Sequence, residues 1–146
     1  MSTQIISGFP GIGKSTIKPL NGIKILDLDG EEFAKYCDYG CNYDYYMNEL
    51  LRQKYESEEY DYILVSSHKE IRDGMKAINL PYTVVVPDPK LKDEYIKRYY
   101  ERGSSLDFIK KLSHNWEEWI SEIILNEENV VVLDEGQFLS DVIAQI

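Results

Sequence analysis

Eight residues near the start of the chain, Gly8-Phe9-Pro10-Gly11-Ile12-Gly13-Lys14-Ser15, constrain the fold more than any other stretch. They follow a short apolar run, Gln4–Ser7, and satisfy G-x-x-x-x-G-K-[ST] without a mismatch. Glycine permits backbone angles that other residues avoid, so successive N–H groups can turn toward one phosphate group. A helix N-terminus behind the loop would add its own partial positive charge. A lysine in this position reaches the β- and γ-phosphates, and the hydroxyl after it is a Mg²⁺ ligand. The bland alternative is a tight turn and nothing more. A strand before the glycines and a helical pattern after them favour the phosphate cradle. The expectation is therefore ATP or GTP with Mg²⁺, bound by Gly8, Gly11, Ile12, Gly13, Lys14, Ser15 and Thr16, with Ser15 on the metal. Pro19, five residues past Lys14, should cut or kink the helix that follows.

The rest of the chain supplies a frame for such a loop. Further strand-like runs lie at Lys24–Asp29, Asp61–Ser66, Tyr82–Val86 (closed by Pro87) and Val130–Leu133. Helical patterns separate them at Glu31–Lys35, Tyr43–Tyr55, Lys69–Ile78, Pro89–Glu101 and Leu106–Leu125, with a last one at Phe138–Ile146. Ile71, Met75 and Ile78 illustrate the helix-face spacing. Short apolar strands alternating with helices predict a five-stranded parallel sheet covered on both faces, a three-layer α/β/α domain. With 146 residues, the chain reads as one domain spanning 1–146.

Charge narrows the partners. Sixteen Lys and Arg against 26 Asp and Glu leave a net charge of −10, which disfavours sequence-independent nucleic-acid binding and a basic membrane surface. Ile5-Ile6 stops at Ser7-Gly8, too short for a signal-peptide core, and no run approaches a membrane span. A cytoplasmic protein is expected. Cys37 and Cys41, far in sequence from His68 and His114, make a poor zinc set and read as two free thiols.

The phosphate-loop motif and the order of elements resemble the P-loop kinase group of nucleoside monophosphate, shikimate and gluconate kinases. The resemblance covers most of the chain, and its specific part is the loop. It implies a P-loop NTPase fold and an Mg²⁺-ATP-dependent phosphotransferase acting on a small acceptor, most simply a nucleotide or nucleoside. Asp27-Leu28-Asp29 then matches the acidic strand end that faces the acceptor, Asp29 orienting or deprotonating it; a solvated turn is the alternative. Leu64–Asp73 is similar to the gluconate-kinase pattern of strand, serine and a helix carrying Arg-Asp. Ser66-Ser67 stands where that group has an acidic residue, and His68 sits at the carboxyl edge of the sheet or simply starts a helix.

By the same resemblance Arg98 and Arg102, four apart beside a Gly103-Ser104-Ser105 lid, close over the transferring phosphoryl group alongside Lys14. They would otherwise pair with Glu94 and Glu101. Arg52, Arg72 and Ser67 would hold the acceptor. Tyr43, Tyr45 and Tyr46 would stack on it or belong to the core, whereas Trp116 and Trp119 read as helix packing. Asp134–Gln137 would touch the adenine.

Three alternatives stay open. Val130–Glu135 also has the form of an ATPase strand, with Asp134 on Mg²⁺ and Glu135 on water. The loop would serve a polynucleotide 5′-kinase equally well, against the acidic charge. A regulator that binds nucleotide without turnover is the third.

Overall fold

The aliphatic runs form the strands. The computed structural model describes residues 3–14, 17, 22–28, 43–57 and 59–146. Its strands are β1 (Gln4–Gly8), β2 (Ile25–Asp27), β3 (Tyr62–Ser66), β4 (Thr83–Pro87) and β5 (Val130–Leu133). They pair in parallel throughout as a five-stranded sheet of order β2-β3-β1-β4-β5. Such a sheet needs both faces covered. Helices α1 (Tyr43–Arg52), α2 (Lys69–Ala77), α3 (Lys92–Glu101), α4 (Leu106–Asn126) and α5 (Leu139–Val142) supply the cover.

Alternation along the strands sorts the core into two parts. Ile5, Ile63 and Val65 pack with Leu50 of α1 and Met75 of α2. Ile6, Leu64 and Val85 pack with Tyr95 and Tyr99 of α3, Trp116 and Ile120 of α4 and Leu139 of α5. Each such fully buried side chain contributes roughly 1.5–3 kcal/mol. The arrangement is compatible with the expected three layers.

Element ends moved where local chemistry intervenes. The pattern predicted at Tyr43–Tyr55 ends as α-helix at Arg52 and continues as a π-helical turn, Gln53–Ser57. Pro89–Leu91 forms a 3-10 turn before α3, because the Asp88 carboxylate accepts from the Lys90 N–H (3.0 Å) and Pro89 lacks a donor. The final pattern divides into α5 and a 3-10 turn, Ile143–Gln145. The helix predicted at Glu31–Lys35, the Pro19 kink, Cys37 and Cys41 lie outside the described residues. No helix among the described residues is long and apolar enough to cross a membrane.

The topology creates a crevice. The chain builds β2 and β3 on one side of β1, then crosses to build β4 and β5 on the other. In open α/β sheets ligands bind outside the carboxyl ends of strands where the order reverses. Gly8 and Ser66, the last residues of β1 and β3, are register partners at that edge.

Candidate functional site

A cleft of about 1250 Å³ opens at this edge, reaching from Gly8, Gly11 and Lys14 past Ser66–His68 to the flank of α4. The backbone of its loop turns as glycine alone allows without strain: φ is +90° at Gly11 and +96° at Gly13. At Gly8 an added Cβ would have to displace the Ile12 and Lys14 side chains. A Cβ there would lie 2.7 Å from both Ile12 Cδ1 and Lys14 Cδ. At Gly11 a Cβ would meet the Tyr99 ring at 2.9 Å.

The carbonyls of the loop are taken in turn by donors from elsewhere. Pro10 O accepts from the Tyr99 hydroxyl (2.8 Å), Gly11 O from Arg98 Nη1 (2.9 Å) and Ile12 O from the Leu139 N–H (2.8 Å). The Lys14 ammonium bonds the Gly8 carbonyl and lies 3.4 Å from that of Phe9. In a trans peptide C=O and N–H point opposite ways. Fixing the carbonyls of residues 10, 11 and 12 therefore turns the N–H groups of Gly11, Ile12 and Gly13 away from those donors. Burial raises the Tyr99 pKa, so its hydroxyl keeps its proton at neutral pH and stays a donor. Burial likewise pushes the neighbouring Tyr95 phenol up to about 12.

Of the residues expected to bind nucleotide, Gly8, Gly11, Gly13 and Lys14 line the cleft. The Ile12 side chain is instead fully buried in the core and leaves only its main chain to the loop. Ser15, Thr16 and Asp29 lie outside the described residues. Asp27 is in register with Leu64 at the end of β2 and does not line the cleft.

Three arginines reach the cleft in three different states. The Arg98 guanidinium is held by Gly11 O, Gln137 O (3.2 Å) and Glu94 (3.0 Å). It also lies between the rings of Tyr95 (4.2 Å) and Phe138 (3.9 Å). It was expected over the transferring phosphoryl group; here it braces the loop against α3 and the C-terminal segment. Arg72, expected to hold an acceptor, is buried and uses four of its five N–H donors within the protein. They go to Ser67 O (2.7 Å), Glu127 (2.8 Å) and twice to Glu122 (2.6 and 3.1 Å). Arg102 is exposed. Its guanidinium lies over Tyr99 and Phe108 at 5.0 and 5.3 Å, with Nε donating to the Ser104 hydroxyl. Arg52 does not reach the cleft and bonds Glu49 on its own helix (2.5 Å).

The segment read as a lid is a four-residue corner, Arg102–Ser105, between α3 and α4. Gly103 takes φ +81° and the Ser105 hydroxyl caps α4 by accepting from the Phe108 N–H (3.1 Å). Any closure here has to carry a helix with it.

At the edge of β3 the Ser66 hydroxyl bonds His68 Nδ1 and accepts from the His68 N–H (3.1 Å). Ser67 and His68 line the cleft. Tyr46 belongs to the core, with its hydroxyl 3.3 Å from the Ser66 nitrogen; nothing is described of the Tyr43 and Tyr45 side chains. Trp116 is core as expected, whereas Trp119 packs on the core and also lines the cleft.

Cations outnumber carboxylates among the side chains that line the cleft, although Lys69, Arg72 and Arg98 are paired with Asp73, Glu127 and Glu94 just outside it. Six cations, Lys14, Lys69, Arg72, Arg98, Arg102 and Lys111, face four carboxylates there, in a protein of net charge −10. Asp134 and Glu135 are outside it. β5 is separated from β1 by β4, and the Asp134 carboxylate accepts from the Glu135 N–H (2.8 Å) and pairs with Lys90 (3.2 Å). Those two contacts hold its pKa below the ordinary carboxylate value. The C-terminal segment instead meets the loop through the Leu139 N–H on Ile12 O, while Gln137 and Phe138 hold Arg98, which bonds Gly11 O.

Tyr99, Leu139, Phe138 and Lys111 escaped the sequence. No family model and no curated protein matches the chain.

Proposed function

We propose that the chain is an Mg²⁺-ATP-dependent phosphotransferase acting on a small acceptor, with the nucleotide's phosphates on the loop 8–14. The observation that carries this reading is the pinned loop: its carbonyls are held by outside donors, at the end of a cation-rich cleft in an acidic protein. Neutral amides and a lysine arranged this way suit a polyphosphate, and the opposite overall charge would repel it anywhere else.

In this reading Lys14 holds the β,γ-phosphates and Arg102 spreads charge in a loose transition state. The bond from the γ-phosphorus to the bridging oxygen breaks as the bond to the acceptor oxygen forms. Asp29 orients the acceptor or takes its proton. Arg98 acts through the loop as a positioning residue. Ser15, which follows Lys14 in the motif, would hold a Mg²⁺ carried on the nucleotide; Asp27 ends β2 away from the cleft lining and has no part in holding it. The ion would neutralise charge on the bridging and terminal phosphate oxygens. Asp134 in its own turn, two strands from β1, favours transfer to an acceptor over hydrolysis by an Asp134-Glu135 pair.

The test is ADP release from Mg²⁺-ATP, alone and with nucleoside monophosphates, nucleosides and sugar acids. Turnover should require one acceptor class. Lys14→Ala should lower it at least ~100-fold with the melting transition preserved. Unchanged turnover in the folded variant, or ADP release independent of acceptor, would overturn the reading.

A further inference from the structure

The cleft exceeds the ~300–1000 Å³ that one small ligand fills, and its two ends differ. The loop end is built from main chain. The far end is a wall of side chains on one face of α4 and the corner before it: Arg102, Phe108, Lys111, Glu118 and Trp119. Along this wall cations and rings alternate, Arg102 lying 5.3 Å from the Phe108 ring and the Lys111 ammonium 5.9 Å from that of Trp119. Among the described residues neither Arg102 nor Lys111 has a carboxylate within ion-pair distance, although 26 acidic residues are present in the chain. The other cleft cation near this end, Lys69, pairs with Asp73 at 2.9 Å.

We infer that this wall is the acceptor subsite, and that the acceptor is a planar heterocycle carrying an anionic group, the chemistry of a nucleoside monophosphate. The inference rests on the loop end being the ATP site. The half-buried Trp119 indole, where it lines the cleft, offers stacking that every nucleobase can use. Two cations without carboxylates supply the charge that a phosphate needs, and Arg102 adds a planar fork. Glu118 is an acceptor for an amino or hydroxyl group on the ring or sugar. A free nucleoside would leave Lys111 without a counter-charge. A sugar acid would leave the indole without a partner.

The two readings can be tested separately. Binding of the non-hydrolysable analogue AMP-PNP with Mg²⁺ is measured first by calorimetry, in the wild type and in Lys14→Ala. With that analogue saturating, AMP, GMP, CMP and UMP are titrated beside adenosine and gluconate, following tryptophan fluorescence. At least one monophosphate should quench the emission, and Trp119→Phe should remove most of that quench. Lys111→Ala should weaken this binding about tenfold or more while AMP-PNP affinity and the melting transition stay as in the wild type. A monophosphate that binds no tighter than its nucleoside, or an affinity unmoved by Lys111→Ala, overturns the subsite. AMP-PNP binding that is absent or independent of Lys14 overturns the phosphate-loop reading instead. In that case monophosphate titration without the analogue, with its Lys111 dependence, still decides the subsite.

Discussion

Two parts of the same cleft hold an arginine in opposite ways. In the seam between α2 and α4, Arg72 is 4% exposed and its charge is met by Glu122 and by Glu127, itself 2% exposed. Lys76 and the Tyr82 hydroxyl complete the set on Glu127, at 2.8 and 2.5 Å. At the corner between α3 and α4, Arg102 meets only a serine hydroxyl and two aromatic faces among the described residues. A guanidinium balanced by carboxylates joins elements and exerts little outward field. One resting on rings and a hydroxyl keeps its charge for a ligand. Lining a cleft is therefore a weak guide to role, and the counter-charge is a better one.

The largest effect should come from breaking the seam. Arg72→Met leaves the buried Glu127 with Lys76 alone of its two cations and removes the partner of Glu122, and unfolding in urea should show a loss of up to about 3–5 kcal/mol. A loss under ~1 kcal/mol would mean that the seam does little for stability. At the corner the outcome should be reversed. Arg102→Ala should reduce kcat about 100-fold while stability stays within ~0.5 kcal/mol; a rise in the KM for ATP with kcat intact would remove its transition-state role.

The smallest effect sharpens the comparison through pH. Burial alone would raise the Glu127 pKa, but hydrogen bonds from Lys76, Tyr82 and Arg72 outweigh it and leave it lowered. The Arg72 hydrogen bond does the same for Glu122. Both carboxyls are thus more acidic folded than unfolded. Their stabilisation is fully present above the ordinary value of 4.5 and is lost as pH falls through the lowered folded values. Unfolding free energy should decline over that acid range, with a shallower slope in Arg72→Met. Equal slopes would locate the acid sensitivity elsewhere.

The strands and the glycines of the loop were legible because both are local signals. A run such as Val130–Leu133 reads as a strand on its own, and Gly11 and Gly13 take the positive φ that their spacing demanded. The partners were not legible. Arg72 meets its carboxylates across 50 and 55 residues, and Gly11 meets Arg98 across 87. No periodicity marks such pairs. Arg98 and Arg102 look equivalent at a spacing of four, yet α3 ends at Glu101 and the chain turns at Gly103. That one turn separates a residue that braces the loop from one that faces the cleft without a carboxylate. Trp119 read as packing because helical spacing cannot tell the rim of a core from its centre.

The donors that shape the loop have a consequence for biosynthesis. Pro10, Gly11 and Ile12 are made early, but Arg98, Tyr99 and Leu139 are needed to fix their carbonyls. β1 also sits mid-sheet and waits for β3 and β4 on its two sides. A nascent chain emerging from the ribosome therefore carries the glycine motif long before it has a formed binding loop. If the loop binds nucleotide as proposed, capture would begin only once translation has passed Leu139, and binding would then report completion of the whole fold.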